Sequence, residues 1–134
     1  MKLGVVVVVR QGGRYLVIRR ASSVAAPGAW CFVGGAIEPG EQEQGAVVRE
    51  FREEVGATVR PVRRLWQYTS PDGRLCLHWW LAEWDGEPLK PNAAEVAEVR
   101  WYTAEELIEM PGLLDSNREF LRVIGGQLDD IGTG

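Results

Sequence analysis

Residues 35–57 read GAIEPGEQEQGAVVREFREEVGA. From Glu41 to Val55 the stretch is rich in helix formers, and Gly56 stands where a helix stop belongs. At about 100° per residue, Val48, Phe51 and Val55 share one side, with Val47 at its edge; this is the side expected to pack on a core. Glu50, Glu53 and Glu54 fall on a neighbouring arc at i, i+3 and i+4, so their carboxylates converge. Arg49 lies beside Glu53 on the far edge of that arc. Like charges so placed repel by about 0.2–0.5 kcal/mol per pair. The stripe is therefore either an ordinary solvated face or one whose repulsion is relieved by a bound cation. Hard oxygen donors suit Mg²⁺ or Mn²⁺, which bind through one or two carboxylates together with waters and substrate phosphates. Calcium lacks its loop of alternating oxygen donors here, and zinc would find only His78 and no neighbouring cysteine pair. Arg49 suits the task of fixing one carboxylate in place. Gly34-Gly35 precedes the helix, where a backbone carbonyl can approach a metal; Glu41 opens the helix and Gly56 ends it. A helix held at both ends is what a rigid metal platform requires.

The chain reads as strands, this one helix, more strands, then helices. MKLGVVVVVR carries a β-branched run, expected as a buried strand over Lys2–Val9 rather than a signal peptide, since no small-residue cleavage site follows it. Gln11-Gly12-Gly13 is a turn, and Arg14–Arg20 the returning strand. Ala21–Ala29 is a loop, Trp30–Val33 a short extended piece ended by Gly34-Gly35, and Glu38–Glu41 a Pro-Gly turn. Thr58–Thr69 is a strand interrupted at Pro61, and Ser70–Arg74 a hairpin turn into a central strand, Leu75–Trp84. Asp85–Ala94 is a loop and Val96–Tyr102 a strand. Thr103 and Glu106 form a capping-box pattern for a short helix to Met110. Asp115 or Ser116 caps a last helix through about Ile124. This order predicts an α+β fold, a mixed sheet with helices packed on its faces. One domain over 1–134 is expected, with a loose tail at 125–134.

Composition narrows the function classes. The net charge is −4, and the only lysines are Lys2 and Lys90. An acidic chain is a poor binder of duplex nucleic acid, although arginines still suit single phosphates. No run approaches the roughly 20 apolar residues of a membrane span. Cys31 and Cys76 are too few for a disulfide framework, so a cytoplasmic protein is expected. His78, in an apolar strand, reads as structural, and Arg60, Arg63 and Arg64 as a solvated strand edge.

The stretch from Gly35 through Glu41 to Arg49-Glu50-Phe51-Arg52-Glu53-Glu54-Val55-Gly56 resembles the Nudix box. All seven residue identities that the box fixes are present: Gly35, Glu41, Arg49, Glu50, Glu53, Glu54 and Gly56. Ala57 is a mild departure at a position that usually holds a bulky aliphatic. IRRA (Ile18–Ala21), WCFVGG (Trp30–Gly35), Pro71–Pro88 and the region of Asn117 look like the MutT branch. The likeness covers about residues 3–124.

The resemblance implies an α/β/α sandwich and Mg²⁺-dependent hydrolysis of a nucleoside diphosphate linked to another group. It places metal ligands at Glu50 and Glu54, with Glu53 on the metal or its waters, and adds the Gly34 carbonyl. Arg49, Glu41, Gly35 and Gly56 would support the box. It implies a further downstream glutamate as ligand or base, for which Glu95 and Glu98 are the candidates and the spacing to Trp101 favours Glu95. Arg20 would contact phosphate, Phe32 line a base pocket, and Asn117 read a purine edge. Val33 departs from the proline usual in that branch, which puts the base pocket in doubt. The activity expected is that of a nucleoside triphosphate pyrophosphohydrolase, with oxidised purines such as 8-oxo-dGTP as candidate substrates. Rivals are hydrolysis of ADP-ribose or another nucleoside diphosphate derivative, and a non-catalytic nucleotide sensor, which the intact glutamates disfavour. The partner is a small nucleotide, and the chain a monomer or homodimer.

Overall fold

The computed structural model describes residues 1–125 and 128. Its strands are β1 (Lys2–Val8), β2 (Arg10–Gln11), β3 (Arg14–Arg20), β4 (Trp30–Cys31), β5 (Val33–Ala36), β6 (Val59–Thr69), β7 (Leu75–Trp84) and β8 (Val96–Tyr102). Its helices are α1 (Glu43–Val55), α2 (Ala104–Ile108) and α3 (Asp115–Val123). The strands divide between two sheets. One runs β5-β1-β7-β6 and is mixed, since β1 and β7 are parallel while the other neighbours are antiparallel. The other joins β2, β3 and β4 and pairs β8 against β3. No described helix is long and apolar enough to cross a membrane.

The valine run of β1 is buried on both faces, which is why it does not alternate with polar residues. Val5, Val7 and Val9 belong to a core shared with Val47, Phe51 and Val55 of α1. Val6 and Val8 face a second core with Trp79 of β7 and Phe120 and Leu121 of α3. Strands thus lie between helices on both sides, the α/β/α arrangement expected.

Several boundaries differ from the sequence reading. Gly34 and Gly35 do not end the strand but lie within β5, opposite Val6 and Val5 of β1. A Cβ at Gly34 would come within 2.5 Å of the Val5 carbonyl oxygen, so glycine permits the close approach. Helix α1 begins at Glu43 rather than Glu41, because the Glu41 carboxylate accepts the Glu38 N–H (3.0 Å) and closes the Pro-Gly turn. Leu114, not Asp115 or Ser116, is the N-cap of α3, and its N–H is donated to the Trp30 carbonyl (3.0 Å). The interruption expected at Pro61 is a register shift between β6 and β7, on an edge strand where proline is tolerated. The capping box at Thr103 and Glu106 forms as expected. Of the tail at 125–134, only Gly125 and Leu128 are described, and Leu128 is buried in the α3-side core.

Candidate active site

Helix α1 does not present Glu50, Glu53 and Glu54 as one converging stripe. Its buried residues are Ala46, Val47, Phe51, Glu54 and Val55, while Val48 is only half-buried. Glu54 therefore lies on the core side, seven residues beyond Val47, and is 6% exposed. Glu53 turns outward, with its side chain 52% exposed. The three carboxylates do not converge equally: Glu50 and Glu54 meet at the helix–sheet junction, and Glu53 stands outside it.

Arg49 organises the start of this cluster. Its Nε and Nη2 donate to the two carboxylate oxygens of Glu41, both at 2.8 Å. Its Nη1 donates to Glu50 (2.9 Å) and Glu53 (3.2 Å), and its Nη2 to the Ala36 carbonyl (2.9 Å). The guanidinium holds the Glu41 carboxyl down to a pKa of about 2, helped by the Glu38 N–H. Gly35 makes room for the result, because a Cβ there would overlap the Glu50 carboxyl.

Burial works the opposite way on Glu54. Loss of solvent raises its pKa to about 9, reinforced by the neighbouring carboxyls of Glu50 and Glu95 and opposed by a backbone hydrogen bond from Gly34. Burial also raises Glu50, against the pull of Arg49. One Glu54 oxygen, Oε2, is buried with no hydrogen-bond partner. An orphaned buried carboxylate oxygen is costly unless something positive meets it.

A cavity of about 200 Å³ opens in front of these groups. It is lined by Arg20, Val24, Gly34, Gly35, Glu50, Glu54 and Glu95. Of the two downstream candidates, Glu95 is brought to the carboxylates. Glu98 is not: on β8, it pairs with Arg19 of β3 (2.7 Å) and Arg100 of its own strand (2.9 Å). No three His, Cys, Asp or Glu side chains among the described residues are already closed into a ligating cluster. Glu50, Glu54 and Glu95 instead ring a common space. Arg20 also lines this space, its Nε donating to the Ala25 carbonyl.

The loop between β7 and β8 carries Glu95 and is fastened to the end of α1. Lys90 N–H is donated to the Val55 carbonyl (2.7 Å) and Asn92 N–H to the Glu54 carbonyl (2.9 Å). The Asn92 carboxamide oxygen accepts the Ala94 N–H (3.1 Å), and the Asn92 carbonyl accepts the Glu95 N–H (2.9 Å). Ser23 joins the β3–β4 loop to it through the Ala94 carbonyl (2.8 Å). Sequence reasoning passed over Asn92 and Ser23. A Pro91-Asn92 turn signal was present, but not its target.

Phe32 and Asn117 lie elsewhere. The Phe32 side chain points away from α1, buried edge-on to Tyr15, Trp79 and Phe120. Asn117 is 4% exposed; its Oδ1 accepts the Phe32 backbone N–H (2.9 Å) and its Nδ2 donates to Ser116 (3.1 Å). Neither lines this cavity. Val33 is fully buried and pairs in register with Val7. His78 packs beside Cys76 (3.8 Å) on β7, and Arg60 and Arg64 pair with Glu83 and Glu43.

The NUDIX domain model matches residues 2–124. The NAD-capped RNA hydrolase NudC of Chromobacterium violaceum is 32% identical over 125 residues, which is 93% of this chain and 46% of that protein. The 8-oxo-dGTP diphosphatase of Escherichia coli K12 is 35% identical over 91 residues, 66% of this chain and 70% of that one. The solution structure of the E. coli ORF135 protein superposes with a TM-score of 0.81 at 26% identity, covering 98% of this chain and 93% of that one. The chain spans less than half the length of the NAD-capped RNA hydrolases it matches.

Proposed function

The chain belongs to the NUDIX family, and on that premise we infer that it hydrolyses a phosphoanhydride bond in a nucleoside diphosphate linked to a second group. Members of the family use divalent cations. The reading for this chain is Mg²⁺, with Mn²⁺ as a substitute, held by Glu50, Glu54 and the Gly34 carbonyl. The observation that carries it is the buried, unpartnered Oε2 of Glu54, in a residue that lines one cavity with Glu50 and Glu95. The donor set fits: every candidate is a hard oxygen, and Gly35 leaves the space that a side chain would fill.

A cation bound there would supply charge neutralisation at the phosphates and a more acidic water. The protein's part is positional. Glu50 and Glu54 offer oxygens from one helical turn, and Arg49 fixes the rotamer of Glu50. Glu95, on a loop fastened to that turn, takes a proton from the attacking water or serves as a further ligand. Arg20, on the wall, binds a phosphate oxygen. Glu53, on the same helix and exposed, would hold waters of a bound cation. Glu41, Gly35 and Gly56 maintain the frame.

Nucleoside triphosphates are the leading substrates, cleaved to a monophosphate and pyrophosphate; oxidised purines such as 8-oxo-dGTP belong in the same assay. A dinucleotide pyrophosphate of the NAD or ADP-ribose type is the second reading, favoured by the alignment of 93% of the chain with an NAD-capped RNA hydrolase. The test is release of phosphate, pyrophosphate or monophosphate from a panel of these compounds with Mg²⁺. Turnover that Glu54→Gln abolishes is expected. Nucleotide binding without turnover of any compound would mean a sensor instead.

A further inference from the structure

We propose that the β3–β4 loop, residues 21–29, is a strap that holds Arg20 and Glu95 in fixed relation, and that Ser23 is the positioning residue through which it holds Glu95. The inference rests on the hydrolase reading above and adds to it a residue outside the box.

Arg20 and Glu95 line the same cavity but come from different elements. Arg20 ends β3, and Glu95 immediately precedes β8. These strands pair, yet the pairing is irregular at this point: Arg19 faces Glu98 while Arg20 faces Val96. The ladder therefore does not set the two side chains by itself, and the loop supplies what it lacks. On the Arg20 side, the Arg20 carbonyl accepts the Gly28 N–H (2.9 Å), its N–H is donated to the Ala29 carbonyl (2.8 Å), and its Nε to the Ala25 carbonyl. On the Glu95 side, Ala21 N–H is donated to the Glu95 carbonyl (3.0 Å), and the Ser23 hydroxyl to the Ala94 carbonyl (2.8 Å). Val24, between these anchors, lines the cavity itself. Ala26 holds φ 50°, a left-handed conformation that is costly for a residue with a side chain and persists where its surroundings impose it.

Ala94 carbonyl and Glu95 N–H belong to one peptide group. Ser23 holds its oxygen, and the Asn92 carbonyl accepts its N–H (2.9 Å). With Ala21 on the Glu95 carbonyl, the backbone is pinned on both sides of the Glu95 side chain. Among the described residues, Ser23 makes the one side-chain hydrogen bond between the loop and residues 90–95. The Ala21 bond is made by the backbone, which substitution leaves in place. Residue identity at position 23 is thus what the strap depends on.

The test uses the full chain with Mg²⁺ and the compound of the panel above that is turned over fastest. Ser23→Ala is expected to lower kcat about three- to tenfold with KM within about twofold, the size of effect one hydrogen bond carries. Ser23→Thr, which keeps the hydroxyl at an exposed position, should restore it. Ser22→Ala is the control and should match wild type, since Ser22 is exposed and makes no side-chain hydrogen bond among the described residues. Because Ser23 acts through Glu95, the double variant Ser23→Ala/Glu95→Gln should be no slower than Glu95→Gln alone. In metal-free protein, exchange of the Ala21 and Glu95 amide hydrogens should quicken in Ser23→Ala and not in Ser22→Ala. Additive losses in the double variant, or unchanged exchange, overturn the proposal and leave the hydrolase reading intact. Turnover of no compound by the wild type overturns both.

Discussion

Glu54 occupies a place on α1 that Val47, Phe51 and Val55 would otherwise make wholly apolar. A carboxyl in the core stripe is stable there without a cation only by keeping its proton. Its folded pKa is about 9 against an ordinary value near 4.5. Between those two values the unfolded chain releases the proton and the folded chain retains it, so stability falls as pH rises through that window. Glu50 acts in the same direction. Glu41 acts oppositely: its depressed pKa adds stability above about 4.5 that is lost as pH falls toward about 2. Thermal unfolding of metal-free protein is therefore expected to peak near the ordinary carboxylate pKa and decline toward about pH 9, and added Mg²⁺ should flatten the decline. A metal-free melting temperature that climbs steadily over that window would refute the assignment. Glu54→Gln, which keeps the shape and removes the charge, should raise metal-free stability at the alkaline end while eliminating turnover. Gly35→Ala tests the facing wall: its Cβ overlaps the Glu50 carboxyl, so turnover should fall by more than about 100-fold, as for loss of a positioned catalytic group.

Among elements, α1 and the β7–β8 loop act as one unit. Gly56 ends the helix at φ 69°, its N–H bonded to the Arg52 carbonyl (3.0 Å). A Cβ at Gly56 would lie 2.7 Å from the Lys90 carbonyl oxygen, on the loop that leads to Glu95. Gly56→Ala is expected to destabilise by about 1–3 kcal/mol and to displace Glu95, so that activity falls even well below the unfolding transition. Denaturant titration beside single-turnover kinetics separates the two effects. Asn92→Ala should lower kcat by about tenfold or more, and Asn92→Asp, which keeps the oxygen that accepts the Ala94 N–H, should restore most of it. These elements also mark what the sequence could and could not reveal. Helix α1, its stop at Gly56 and the role of Arg49 were readable because side-chain identity at fixed spacing determines them. The fastening of residues 90–95 was not, since it runs through backbone N–H groups that every residue but proline carries. The burial of Glu54 was hidden for another reason: a glutamate at helical spacing looks solvated until the sheet beneath it is known.

At the scale of the whole molecule, two cores divide the labour. The α1-side core holds the carboxylate helix against β1 and β5, and the aromatic α3-side core supplies bulk stability. The order of elements along the chain and the burial of the valine run were legible in the sequence pattern, whereas the strand order within the two sheets was not. Nor was the closure of the second core by Phe32, Trp79 and Phe120, because an aromatic residue near a family's ligand position reads the same whether it lines a pocket or fills it. Phe120→Ala should cost about 3–5 kcal/mol in denaturant unfolding while leaving kcat/KM for ATP within about threefold, since a truncation remote from the cavity acts mainly on the folding equilibrium. A collapse of turnover in protein shown to be folded would mean that the two cores are not separate in function.

The proposal at the centre of this account is a divalent cation held by Glu50 and Glu54, which both line the cavity. Titration of Mn²⁺ into the metal-free wild type and the Glu54→Gln variant, followed by the electron paramagnetic resonance of the free ion, measures that directly. Wild-type protein is expected to take up Mn²⁺ with release of protons, and the variant to bind it more than about tenfold more weakly. Equal affinity in the two proteins, with no proton release, would contradict it.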